Sequence, residues 1–440
     1  MSPDKLLAVT FSLFIFGQAW LLGARAGTWL LPGCVFGFFW FLYSFIPLVA
    51  MPSVPANPWA IGYIALCVTA FSFGSAGYNW RSVISERLSK PSGYQFDTPF
   101  LCFAFWSCTA LTLLSIALNW SIQGITVNDL IFNLLETAGS YVDRKYRGLL
   151  IPNFFATLAV VLVYPGVIIG GLIFGDRKES GKRKRILLFA LLPAVLVMLA
   201  EGNKGSLPLV LVLFWAAVLV SRVNRGEFEL LGPGFVRQAL ILGLFFFPIV
   251  VIAFLARGLS GLDDFALVME LLQTMFASYM FGHLYAFSDW FSAYIAAASS
   301  FDYDPMPLTG GFYTFMPVYE LFAVGKEVPS GIYSEYFDYQ MKFETNIYTI
   351  FRGLILDFGL VGGIVVLALI GRAAHWAFYR VVAMRGSPLG ASVYIHSIGF
   401  CYSSFVISLL IWDSVYASVM LVAVGLFLNS VIQKSVSASR

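Results

Sequence analysis

Residues 345–363 read TNIYTIFRGLILDFGLVGG and open an apolar run of membrane length. A bilayer core takes about 20 apolar residues per helix, so the run predicts a transmembrane helix over 346–371. That helix carries Arg352 within roughly two turns of its start, where a lone charge costs about 2.5–3.5 kcal/mol on insertion scales. Arg352 therefore needs a partner. Tyr348 lies four residues earlier on the same helical face, which Ile355 and Gly359 also share. Asp357, five positions on, falls on a different face and makes a poor intrahelical partner.

Composition sets the class. Of 440 residues, 59% are hydrophobic and 12% are charged, with a mean hydropathy of +0.82; soluble domains carry about 25% charged residues. The chain reads as an all-α polytopic membrane protein, a single membrane domain over 1–440. Many of its Trp and Tyr residues fall near the ends of apolar runs, as interfacial belts require. A net charge of +3 is too small to suggest nucleic-acid binding. Cys34, Cys67, Cys102, Cys108 and Cys401 all lie inside apolar runs. That placement argues for core packing and against a disulfide framework or a structural zinc site.

Scanning at membrane length gives about 11 spans, with 10 to 12 as the range: 5–24, 29–51, 58–78, 99–119, 151–175, 186–200, 206–221, 237–257, 346–371, 391–411 and 414–433. Only Glu201 to Gly205 separate the sixth from the seventh, a spacing that predicts a tight hairpin. Short cytoplasmic loops are enriched in Lys and Arg, so the cluster Arg177, Lys178, Lys182, Arg183, Lys184 and Arg185 marks the inside. Alternation then places 18 of the 27 basic residues inside and the N-terminus outside. The first span also has signal-peptide features, since Lys5 precedes an apolar run and Ala24-Arg25-Ala26 resembles a cleavage site. Cleavage after a cytoplasmic N-terminus would reverse the alternation that the later loops support. The nine basic residues left outside are Lys5, Arg144, Lys145, Arg147, Lys204, Arg257, Lys326, Lys342 and Arg352. Most stand near a helix boundary on one membrane face, where their field favours an anionic ligand.

Two outward segments are long, a first periplasmic loop over 120–150 and a large loop or lid over 258–345. The first contains the amphipathic run VNDLIFNLLETAGSYVDRKYRGLL. The second opens with a helix signal: Ser260 as cap, Asp263 and Asp264 in the first turn, and an apolar stripe from Phe265 to Met280. Both helices are expected to lie on the membrane surface. After Ala298, FDYDPMPLTGG and EVPSG are turn sequences. No internal repeat, Walker loop, HExxH or nucleophile elbow occurs in the chain.

Arg352 with Tyr348 is the first candidate for a substrate-binding pair, against the plainer reading of an ion pair within the bundle. Arg257, in AFLARGLSG, can grip phosphate oxygens bidentately or serve as a snorkelling anchor. Arg144 and Arg147 can bind the same anion or sit on a solvated face, and Lys204 can bind it or cap its hairpin. His283, Asp289, Glu320 and Glu344 are the acid–base candidates for catalysis; each alone is more simply a hydrogen-bonded loop residue. Asp302 and Asp304 have metal-ligand spacing but precede Pro305 and read as turn chemistry, so no metal or other cofactor is expected.

Three phrases carry a family resemblance: Pro307, Gly310, Thr314, Phe315 and Pro317; then Asn346, Tyr348 and Thr349; then Asp357, Phe358, Gly359 and Gly362. With the general layout, they are similar to the bacterial oligosaccharide repeat-unit polymerases, the Wzy-type O-antigen polymerases. A weaker match is the GNKGS turn, where relatives often have arginine in place of Lys204. The resemblance implies a multi-pass enzyme of the bacterial inner membrane with C-type glycosyltransferase architecture and a periplasmic active site. It implies transfer of a growing glycan from undecaprenyl pyrophosphate onto a new lipid-linked repeat unit, with neither metal nor nucleotide. A chain-length regulator protein is a further implied partner. An O-antigen ligase is the nearest alternative, and a lipid-linked oligosaccharide flippase the alternative from another class. A flippase is expected to show two related halves and charges through the membrane centre, which this chain lacks.

The charge pattern predicts topology. A reporter fused after Ser180 is expected to read cytoplasmic and one after Pro307 periplasmic; the same side for both would break the assignment of outward basic residues.

Overall fold

The computed structural model describes residues 2–89, 94–177, 179–202, 205–232, 243–244, 247–248, 250–252, 254–255, 265–296, 308–322, 333, 335–340, 343–384 and 386–438. Among these, seven helices are long and apolar enough to cross a membrane: α1 (Pro3–Ala26), α2 (Pro32–Ala50), α5 (Pro99–Ile122), α8 (Phe154–Asp176), α10 (Ser206–Asn224), α13 (Thr349–Ala383) and α15 (Asp413–Ala438). The protein is an all-α polytopic membrane protein. The remaining described helices are α3 (Pro58–Phe73), α4 (Trp80–Ser89), α6 (Val127–Phe132), α7 (Leu134–Tyr146), α9 (Ser180–Glu201), α11 (Phe265–Ile295), α12 (Met316–Glu320) and α14 (Pro388–Ser403). A small antiparallel hairpin, β1 (Phe337–Tyr339) and β2 (Phe343–Thr345), is registered by Asp338 opposite Glu344.

Local chemistry sets the helix starts. Ser2, Asn57 and Thr98 each precede a proline, and each side chain accepts from an amide of the first turn. Proline fits there because its missing N–H would be unsatisfied anyway, and the cap oxygen takes up one of the others. Of the sixth and seventh predicted spans, α9 ends at Glu201 and α10 starts at Ser206, and residues 203 and 204 of the turn between them lie outside the described residues. The predicted span 391–411 is divided instead: α14 stops at Ser403 and a short 3-10 turn covers Leu409–Ile411. Most of the predicted span 237–257 lies outside the described residues.

The chain clusters into two compact units. One comprises residues 1–86, 273–383 and 397–413. In it, the Tyr63 hydroxyl donates to the Leu360 carbonyl at 3.0 Å, and Gly371 meets Phe71 so closely that a Cβ would stand 2.2 Å from the Phe71 carbonyl oxygen. Both contacts run in the same direction along the two chains, so α3 and α13 are parallel. Lys5, one of the outward set, does not face water: it is 1% exposed, and its ammonium donates to Met51 O, to Val54 O at 2.6 Å and to the Tyr285 hydroxyl at 3.0 Å. The second unit, residues 87–272, 384–396 and 414–440, contains α5, α8, α9 and α10. There the Ser221 hydroxyl donates to the Leu172 carbonyl at 2.6 Å and fixes α10 against α8.

The segment expected to open with a surface helix is more buried than that expectation. α11 runs without interruption for 31 residues, and Gly282 to Ser288 are all buried. The apolar stripe does not stop at Met280 but continues through Leu284, Tyr285, Phe287, Trp290 and Phe291, which is why the helix enters a core.

The α3–α13 contact generates a test. Gly371→Ala is expected to cost about 1–3 kcal/mol, because neither backbone can yield to the added methyl. Gly17→Ala in α1, where a Cβ meets nothing within 4 Å, is expected to be neutral or to stabilise by up to about 1 kcal/mol. Thermal unfolding of the detergent-solubilised variants separates the two; equal midpoints would contradict the close approach.

Candidate functional site

The site begins with a broken helix. Within α13, Gly359 adopts φ 71° and ψ 177°, a conformation that side-chain-bearing residues rarely adopt. The break leaves 360–383 as the apolar span proper, about 36 Å long and sufficient to cross a bilayer alone. Thr349 to Asp357 form a separate half-helix in which every residue is buried.

A break of this kind takes the preceding carbonyls out of the intrahelical ladder. The loop after residue 307 supplies the missing donors: Thr309 N donates to Leu356 O at 3.0 Å and Gly310 N to Asp357 O at 3.1 Å. The Asp357 carboxylate, 2% exposed, accepts from Tyr313 N at 3.1 Å and from the Thr309 hydroxyl. Phe315 then packs on Phe358 with ring centroids 6.4 Å apart. The phrases LTGGFYTFMP and DFG, separate in sequence, are thus two sides of one joint. Ser408 closes it from a third segment by donating to the Thr314 carbonyl at 2.9 Å.

Arg352 lies at the centre of the half-helix, 1% exposed. Its guanidinium stacks on Tyr348 at 4.2 Å and Tyr333 at 4.3 Å, with the Trp290 ring at 5.3 Å. Its charge is met by Glu335, whose Oε2 accepts from Nη2 at 3.0 Å. The spacing of Tyr348 and Arg352 foretold their meeting. Asp357, as expected, is not the partner; the carboxylate comes from the loop. Burial pushes the Tyr333 phenol well above its usual range, with Arg352 opposing the shift, and burial likewise raises Tyr313. Both phenols therefore stay neutral. Tyr333 OH, Thr314 Oγ1 and Asp357 Oδ2 have no hydrogen-bond partner among the described residues.

The other candidates are scattered. His283 is 1% exposed; its Nε2 stands 3.0 Å from the Tyr43 carbonyl, and its ring packs against Tyr43 and Phe405. Asp289, exposed, lines a cleft of about 570 Å³ together with Asp4 and Asp338. Glu320, at the end of α12, and Glu344, in β2, are exposed. In the second unit, Arg144 Nη1 donates to Gln123 O at 2.8 Å and ties α7 to the end of α5, while Arg147 pairs with Asp143 at 2.9 Å on the surface. Lys204, Arg257, Asp302, Asp304, Lys326 and Lys342 lie outside the described residues. Among the described residues, no cluster of His, Cys, Asp and Glu is arranged to hold a metal.

Sequence reasoning missed Glu335, Tyr333 and Trp290. For Glu335 and Tyr333 the one signal is the aromatic density of GIYSEYFDY around two acids, Glu335 and Asp338. Comparison with known proteins returns nothing: no family model, curated protein or solved structure matches the chain.

The cage makes a stability prediction. Arg352→Ala is expected to cost about 3 kcal/mol, since it strands Glu335 and empties the space between two rings. Arg352→Lys is expected to fall between, keeping the charge without the planar stack. Tyr333→Phe, which removes only the hydroxyl, is expected to stay within about 1 kcal/mol of the parent. Denaturant unfolding in detergent measures all three; an Arg352→Ala protein as stable as the parent would remove the pair from any structural role.

Proposed function

We propose that this membrane protein is a glycan polymerase of the bacterial inner membrane, transferring a growing oligosaccharide from undecaprenyl pyrophosphate onto a fresh lipid-linked repeat unit. The observation that carries the proposal is the joint between the loop phrase and the half-helix. The residues on which the resemblance rests, Gly310, Thr314 and Phe315 on one side and Asp357, Phe358 and Gly359 on the other, form one joint, and Tyr313 within it lies beside Tyr333, the ring that covers the buried Arg352. A functional loop held rigidly over a broken helix suits a reaction at the membrane surface.

In this proposal the protein has about 11 spans, a large periplasmic loop and the C-type glycosyltransferase architecture. The bond from the sugar anomeric carbon to the pyrophosphate oxygen breaks, the acceptor hydroxyl oxygen bonds to that carbon, and the hydroxyl proton passes to a base. The departing pyrophosphate gains charge, which preorganised cations stabilise. Arg144, Arg147, Lys204 and Arg257 are the proposed cations, and no metal takes part. Asp289, Glu320 and Glu344 are exposed and able to meet an acceptor; His283 is enclosed by Tyr43 and Phe405 and is the poorest base of the four. Arg352 is enclosed as well, so its first role is to position the loop, and it meets a phosphate only when Glu335 gives way.

The test is the length distribution of surface glycan. Cells lacking the protein are expected to carry core lipid with one repeat unit, because ligation still proceeds on unpolymerised substrate, and Arg352→Ala is expected to shorten the ladder more than it lowers protein level. Loss of all surface glycan would favour a ligase or a flippase instead.

A further inference from the structure

The two ends of the bundle formed by α1, α2, α3 and α13 carry opposite charge. At the N-terminal ends of α1 and α3 the cleft holding Asp4, Asp289 and Asp338 is acidic. At their C-terminal ends lies a second cleft, about 460 Å³ in volume, lined by Arg25, Arg81, Tyr78 and Asn79 among others and by no carboxylate. That volume falls within the range of ligand pockets, roughly 300–1,000 Å³.

The positive charge at this end is larger than the protein itself consumes. Arg81 donates through Nε to Arg25 O at 2.9 Å and through Nη2 to Ala24 O at 3.2 Å, satisfying the last carbonyls of α1. Arg372, stacked on Tyr78 at 4.5 Å, does the same for Gly74 O and Ala76 O after α3. These bonds answer partial charges only, so both guanidiniums keep most of their field. Arg25, in the last turn of α1, is exposed, and its side chain makes no hydrogen bond or ion pair with a described residue. Deeper in the cleft, the Ser72 hydroxyl is buried and has no partner among the described residues. Leu22 and Phe73 form an apolar wall beside it, with Phe73 69% exposed on the outside of the bundle.

We propose that this cleft binds the headgroup of an anionic glycerophospholipid. The phosphate sits between Arg25 and Arg81, the Ser72 hydroxyl donates to a headgroup or glycerol oxygen, and an acyl chain lies along Leu22 and Phe73. The cleft is at helix ends, the depth of a lipid phosphate, and basic helix ends face the leaflet that is richer in anionic lipid. A free phosphate would use the arginines but leave the apolar wall bare. The site is remote in character from the acidic end of the same bundle, and the proposal stands whether or not the protein polymerises glycan.

The experiment titrates the purified full-length protein, in neutral detergent, with phosphatidylglycerol, phosphatidylcholine or glycerol 3-phosphate, reading the thermal midpoint and lipid adducts by native mass spectrometry. Phosphatidylglycerol is expected to raise the midpoint saturably and to remain bound, whereas phosphatidylcholine is not. Arg25→Gln, which removes no bond seen in the structure, is expected to weaken the apparent affinity about fivefold. Arg81→Gln is expected to weaken it too, but also loosens the end of α1, so Arg25→Gln decides. Equal effects of the two lipids, or an unchanged titration in Arg25→Gln, would overturn the proposal. Glycerol 3-phosphate reproducing the full shift would assign the cleft to a soluble phosphate and overturn the lipid assignment.

Discussion

A helix that breaks within the protein must find donors for the carbonyls it strands, and here that requirement joins the loop to the membrane bundle. Gly359 makes the break, and the amides of Thr309 and Gly310 repair it. Everything else around the half-helix follows from that repair. Once Thr309 is seated, its hydroxyl and Tyr313 N reach the Asp357 carboxylate. Tyr313 is thereby placed beside Tyr333, at a ring separation of 5.4 Å, and Tyr333 covers Arg352.

Burying a guanidinium is costly unless a carboxylate and favourable ring faces replace water. Glu335 and the tyrosines provide both, which makes the Arg352 cage a condition for the loop's position as much as a consequence of it. The same logic explains Lys5. An ammonium withdrawn from water at the start of α1 is satisfied by two carbonyls of the α2–α3 connection and by Tyr285, so three segments are held by one charge. Charges that looked misplaced on the outer face are, in these two cases, fasteners.

The membrane class, most helices and the Tyr348–Arg352 pair were legible because they rest on local signals: hydropathy at span length, proline with a preceding cap, and spacing along one helical face. Glu335 was not legible, because an acid in an aromatic loop carries no periodicity that points to its partner 17 residues away. Nor was the fate of His283. As a lone imidazole in FGHLYAF it resembled a base, but the apolar stripe of α11 carries it into the core, where the Tyr43 carbonyl takes up one ring nitrogen. Asp357-Phe358-Gly359 was recognised as a phrase without its purpose; only the backbone angles at Gly359 reveal that the helix stops there.

A loop joint seated on a broken helix and the exposed carboxylates of Asp289, Glu320 and Glu344 are parts the proposed glycosyl transfer would use. The most direct measurement is elongation of undecaprenyl-pyrophosphate-linked repeat units by the purified protein in liposomes, with chelator present and no nucleotide added. A ladder of lengthening glycans is the result predicted. Products no longer than the starting unit, or a ladder that appears only after magnesium or manganese is restored, would contradict it.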